Sequence, residues 1–105
     1  MVSSRDSAFG RQALCFCRAC RSKGLDLSVY PLYFALLCRC YEVAGRKHDA
    51  WSCRLSNKEL LGLSGIGSLA TFYRLRKLLV SAGLVRYMSG RKGGPSLYRL
   101  SWLGE

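Results

Sequence analysis

Arg74, Arg76 and Lys77 stand almost side by side in the chain, and Arg91 and Lys92 share a glycine-rich stretch, Ser89-Gly90-Arg91-Lys92-Gly93-Gly94-Pro95. The chemistry such residues perform is anion recognition. A guanidinium fork pairs with two oxygens or with the O6/N7 edge of guanine, while an ammonium group acts as a mobile point charge. Residues 60–104 contain no Asp or Glu, yet Arg74, Arg76, Lys77, Arg86, Arg91, Lys92 and Arg99 all lie there. Over the whole chain 17 Lys and Arg face 6 Asp and Glu, giving a formal net charge of +11. A field of one sign favours a polyanion. Nucleic acid fits better than a membrane surface, because the basic residues are interleaved with turn and strand signals and do not line one amphipathic helix. Solubility alone is the alternative reading of the charge.

The remaining reactive residue types offer less. Of the 6 cysteines, Cys15, Cys17 and Cys20 contain one C-x-x-C pair, which is half of a zinc site. No second half is evident: Cys38 and Cys40 fall in a predicted helix, where residues two apart point roughly 200° away from each other. Cys38 and Cys53 are expected to be buried apolar fillers, and the N-terminal three free thiols in a reducing compartment. No metal or other cofactor is expected. His48, the only histidine, is expected in a surface loop. There is no phosphate-binding loop, nucleophile motif or histidine–carboxylate set, so the chain reads as a non-enzyme without a small-molecule substrate. Its longest apolar run, 29–38, is about half of what a bilayer requires and is closed by Arg39. With no signal-peptide pattern, a cytoplasmic protein with no membrane partner is expected.

These side chains need a scaffold, and 105 residues suffice for one core. Residues 1–27 read as an N-terminal arm in which 12–21 could form a short helix, closed by a turn at Ser22, Lys23 and Gly24. Ser28 as N-cap and Pro31 in the first turn start a helix over 28–44, apolar on several sides through Tyr30, Tyr33, Phe34, Leu36, Leu37 and Tyr41 and ended by Gly45. A short strand over 51–55 follows. Ser56 and Glu59 form a capping-box pattern, so a helix starts at Asn57; Gly62, Ser64, Gly65 and Gly67 keep it short. Ser68 offers a second N-cap, and Leu69, Phe72, Leu75 and Leu79 mark one buried stripe on a helix over 68–82 that Gly83 stops. Residues 84–88 and 97–103 then alternate as two antiparallel strands around the loop 89–96, with Arg86 opposite Arg99 and Trp102 closing the core.

The segments Leu55-Ser56-Asn57-Lys58-Glu59-Leu60-Leu61, the turn at 63–67, Thr71-Phe72-Tyr73-Arg74 and Ser81-Ala82-Gly83-Leu84-Val85 together resemble winged helix-turn-helix domains. With the aromatic helix before them, they are similar to the N-terminal DNA-binding domains of phage and plasmid replication initiators and replisome organisers. The resemblance implies a mainly α fold with a small β-hairpin over 28–105: a three-helix core plus a two- or three-stranded antiparallel wing. It implies double-stranded DNA as partner, in replication initiation or transcription regulation of a bacterial or mobile element. The start of helix 68–82 would lie in the major groove, with Arg74 reading a base and Ser68, Ala70 and Thr71 making small polar or methyl contacts. Arg76 and Lys77 would reach phosphate, and Arg91 and Lys92 on the wing would grip the backbone or minor groove. Tyr73 reads as packing its ring beside the stripe, with a phosphate or sugar contact as the alternative. The rival to DNA binding is a protein-interaction module, or a homodimer or replication or regulatory protein partner, built on the aromatic face of residues 28–41.

Overall fold

Local signals set most of the helix ends. The computed structural model describes residues 4–44, 51–101 and 103. In order they form α1 (Ser4–Lys23), a 3-10 turn (Leu27–Val29), α2 (Tyr30–Ala44), β1 (Ser52–Leu55), α3 (Asn57–Ser64) and α4 (Leu69–Ser81). Then come β2 (Val85–Met88), a second 3-10 turn (Arg91–Gly93) and β3 (Ser96–Leu100). At α3 the Ser56 hydroxyl accepts from the Glu59 N–H and the Glu59 carboxylate accepts from the Ser56 N–H, so two orphan donors of the first turn are satisfied. Ser68 caps α4 by accepting from the Thr71 N–H. At the far end Gly83 takes a left-handed conformation (φ 78°), with its N–H on the Val80 carbonyl and the Leu84 N–H on that of Leu79. A β-carbon would oppose that conformation, so the glycine sets the length of α4.

The cap before α2 differs from expectation. Asp26 accepts from the Ser28 N–H at 2.9 Å and opens the 3-10 turn, and α2 begins two residues later, with Pro31 in its first turn. The Asp26 carboxylate, two residues before Ser28, reaches the Ser28 N–H and so takes the capping position in its place. The end of α2 at Gly45, the loop holding His48 and the placement of Trp102 lie outside the described residues.

The three strands form one antiparallel sheet in the order β1-β3-β2, with β3 central. Cys53 faces Tyr98, Arg86 faces Arg99 as the alternation predicts, and Val85 faces Leu100. One face of the sheet carries Cys53, Leu55, Val85, Tyr98 and Leu100 into the core, where they meet Leu60 of α3 and Phe72, Leu75 and Leu79 of α4. The fold is therefore mainly helical with a small three-stranded sheet, and the helix pair α3–α4 is followed directly by the β2–β3 hairpin.

The N-terminal segment corrects the reading of an arm. Residues 4–23 are one helix of 20 residues, and Phe16 and Cys20 on it are buried. The Phe16 ring stacks on that of Tyr33 in α2, with centroids 3.5 Å apart and planes 2° from parallel, and meets Tyr30 and Phe34 edge-on. Gln12, fully buried, donates to the Tyr33 hydroxyl (2.8 Å) and to the Ser101 carbonyl (2.7 Å), and accepts from the Leu103 N–H (2.8 Å). A buried amide is tolerable only because its hydrogen-bonding groups are used in this way. Of the aromatic residues of α2, Tyr33 is buried against α1, whereas Tyr30, Phe34 and Tyr41 are half-buried, Tyr30 and Phe34 meeting Phe16 of α1 and Tyr41 meeting Phe9. At about 1.5–3 kcal/mol per fully buried large apolar side chain, α1 and α2 supply a substantial part of the core.

Candidate nucleic-acid interface

The side of α4 away from its buried stripe carries Ala70, Tyr73, Arg74 and Lys77, all exposed, with Ser68 exposed at its start. Residues at these spacings share a face at 3.6 residues per turn. Thr71 is half-buried, since it precedes buried Phe72 by one residue and projects from the flank of the helix. The Ser68 oxygen already accepts from the Thr71 N–H, so the hydroxyl has its proton left for an incoming acceptor. Arg74 also stands near the turn before α2. The Asp26 carboxyl is held below its ordinary range, mainly by the Ser28 N–H and in smaller part by the Arg74 charge.

Arg76 departs from its expected role. Its guanidinium carbon lies 3.9 Å from the centre of the Tyr87 ring in β2 and 5.0 and 5.2 Å from those of Phe72 and Tyr73. Its Nη1 donates to the Asn57 Oδ1 at 3.2 Å and to the Tyr98 hydroxyl at 3.1 Å. Asn57 in turn donates to the Tyr73 hydroxyl at 3.4 Å. One guanidinium therefore joins the start of α3, the middle of α4 and the wing strands β2 and β3, with its Nη1 engaged inside the domain. The physical reason is periodicity: Arg76 follows Phe72 by four residues and so shares the side of the helix that turns inward. Burial pushes the Tyr98 phenol up, against the effect of Arg76, whereas the Tyr87 phenol is drawn down by its hydrogen bonds to Ser89 and Ser96 and further by Arg76.

The wing tip, Arg91 and Lys92, is exposed. Lys92 holds a left-handed backbone (φ 46°, ψ 47°), uncommon for a residue with a side chain. The chain folds back tightly beneath it: a β-carbon on Gly90 would collide with the carbonyl oxygens of Pro95 and Gly94, so only glycine fits there. Between this loop and the start of α3 lies a cleft of about 390 Å³ lined by Ser56, Asn57, Lys58, Tyr87, Ser89 and Gly90, among others. Asn57 and Lys58 line this cleft and have no binding role assigned to them from the sequence. The signal for Lys58 was its place in the first turn of α3, beside the capping box.

Among the described residues, Arg74, Lys77, Arg91 and Lys92 form no ion pair; Arg39 and Glu42 on α2 do, at 3.7 Å. No group of three or more His, Cys, Asp or Glu among the described residues is placed to hold a metal ion, and no helix there is long and apolar enough to cross a membrane. Of the cysteines, Cys53 is buried as expected, but Cys38 is exposed and Cys40 takes the inward position. Cys15 and Cys17 are half-buried and Cys20 is buried on the inner side of α1, and that burial, with Cys17 nearby, pushes its thiol up. No family model, curated protein or solved structure matches the chain.

The arrangement offers unpaired cations on an exposed helix face, small side chains at the start of that helix, and a second pair of cations on a tight loop. Such a surface can hold phosphates at several points while a narrow helix face meets base edges.

Proposed function

We propose that this protein is a winged helix-turn-helix that binds double-stranded DNA, with α4 in the major groove and the 89–96 loop as its wing. The observation that supports it is the exposed row Ala70, Arg74 and Lys77 on a helix capped by Ser68, in a stretch where no acidic residue opposes the charge. On this reading Arg74 pairs with a guanine edge, Ser68, Ala70 and Thr71 approach the bases around it, and Lys77, Arg91 and Lys92 hold phosphates. Arg76 acts indirectly, by fixing α4 against the wing. Cytoplasmic replication initiation or transcription regulation in a bacterium or mobile element is the setting that suits such a domain.

Titration with random-sequence duplex DNA at several salt concentrations tests it. With about five phosphate contacts, log K falls against log salt with a slope near −4 to −5. Arg74→Ala should relax sequence preference, whereas the double change Arg91→Ala and Lys92→Ala should weaken all sequences alike. Absence of binding at low salt removes the proposal, and equal, sequence-blind losses in both variants remove the division of roles.

A further inference from the structure

Cys40 on α2 and Cys53 on β1 have their sulfur atoms 3.2 Å apart, with the Cys40 thiol donating to Cys53. Both side chains are in the core, 0% and 5% exposed. Cys38 is exposed on the same helix, and the N-terminal cysteines sit on α1, so this is a pair set apart by the fold and not one member of a general cluster. A disulfide needs sulfurs at about 2.05 Å, which from here asks for a closing movement of about 1 Å, within reach of side-chain rotation between two packed elements.

We propose that Cys40 and Cys53 are a peroxide-oxidisable pair that closes to a disulfide tying α2 to β1. The Cys53 sulfur is the attacking atom. It accepts the Cys40 hydrogen bond and lies near the Arg39 charge, and the two together draw its thiol down against the opposing effect of burial. Its thiolate attacks one oxygen of hydrogen peroxide and breaks the O–O bond. The sulfenic acid forms, and the departing hydroxide takes up the proton that Cys53 released. Cys40 then loses its proton and attacks the sulfenic sulfur; the S–S bond forms, the S–O bond breaks, and hydroxide leaves with the Cys40 proton as water. Overall two thiols and one peroxide become one disulfide and two waters. Burial restricts the reaction to an oxidant as small as peroxide. The link closes the chain between residues 40 and 53 and constrains the unfolded state. This inference is independent of DNA binding.

The test treats the whole protein, dilute and folded, with hydrogen peroxide, alkylates the remaining thiols in denaturant, and maps the tryptic peptides by mass. Trypsin leaves Cys40 alone in peptide 40–46 and Cys53 alone in 48–54. The expected product is these two peptides joined, 2 Da lighter than the sum of the free thiol forms, with the other four cysteines alkylated. The melting temperature of the oxidised protein should rise by on the order of 10 °C and return on reduction. Cys38→Ala should give the same linked product and Cys53→Ser none. The proposal is overturned if both peptides are recovered alkylated to the level of the untreated protein, or if Cys40 or Cys53 is found linked chiefly to another cysteine. Both outcomes are read on the wild-type chain, so they hold even if Cys53→Ser does not fold.

Discussion

Replacing Arg76 by alanine should destabilise the domain far more than replacing Arg74 or Lys77, although all three are basic residues of one helix. The change removes two hydrogen bonds from a charged donor, at 3.2 and 3.1 Å, and the stacking of the guanidinium on Tyr87. It also leaves the Tyr98 hydroxyl, on a fully buried side chain, without its donor. Hydrogen bonds to charged groups contribute about 1.5–3 kcal/mol and a partly desolvated cation–π contact about 1–2 kcal/mol. Solvent still reaches part of the guanidinium, so the net loss is expected at about 2–4 kcal/mol, or a melting temperature lower by on the order of 10–20 °C. Urea denaturation followed by far-ultraviolet circular dichroism measures it. Arg74→Ala and Lys77→Ala, on the exposed face, should stay within about 0.5 kcal/mol of wild type. Arg76→Lys keeps the charge but lacks the planar fork, and should recover only a minor part of the loss. A loss below about 0.5 kcal/mol for Arg76→Ala, or full recovery by lysine, would refute the view that this residue clamps α4 to the wing.

Gln12→Leu should cost about 2–4 kcal/mol despite its greater hydrophobicity, because the Ser101 carbonyl and Leu103 N–H lose their partner; equilibrium unfolding reads the change. Stability should fall on acidification, and the sign follows from the caps. The Glu59 and Asp26 carboxyls are both held down, chiefly by the Ser56 and Ser28 N–H groups, so their contributions are complete above the ordinary carboxylate range and are lost as pH falls through the lowered values. Glu59→Gln should flatten that acid limb in denaturation curves taken below the ordinary carboxylate range, and an unchanged limb would count against the cap as its source. Lys92→Gly should raise stability by up to about 1 kcal/mol by relieving the left-handed backbone, while weakening DNA binding through loss of charge; filter binding and thermal melting on the same variant separate the two effects.

What could be read in advance was what is local. The caps at Ser56 and Ser68, the Gly83 stop and the Arg86–Arg99 register each depend on residues a few positions apart or on strict alternation, and each is present. Arg76 was within reach of the same rule, because its spacing from Phe72 places it on the inner side; its charge alone suggested phosphate. α1 was harder. Its buried positions Gln12, Phe16 and Cys20 include an amide and a thiol, while Leu14 is 52% exposed, so hydropathy does not reveal the stripe. The partners that justify a buried Gln12 lie 21, 89 and 91 residues away and carry no local signal.

The reach of Gln12 sets an order of events in time. In a chain made from its N-terminus, α1 precedes two of the three groups that satisfy its amide, which lie 89 and 91 residues after Gln12 at Ser101 and Leu103. Until then the Phe16–Tyr33 stack can form, but the amide between the helices has only the Tyr33 hydroxyl inside the protein and otherwise water. The helices can collapse together during synthesis, whereas the final desolvation around Gln12 waits for β3 to pass, which makes that closure a late step by the loop it must span.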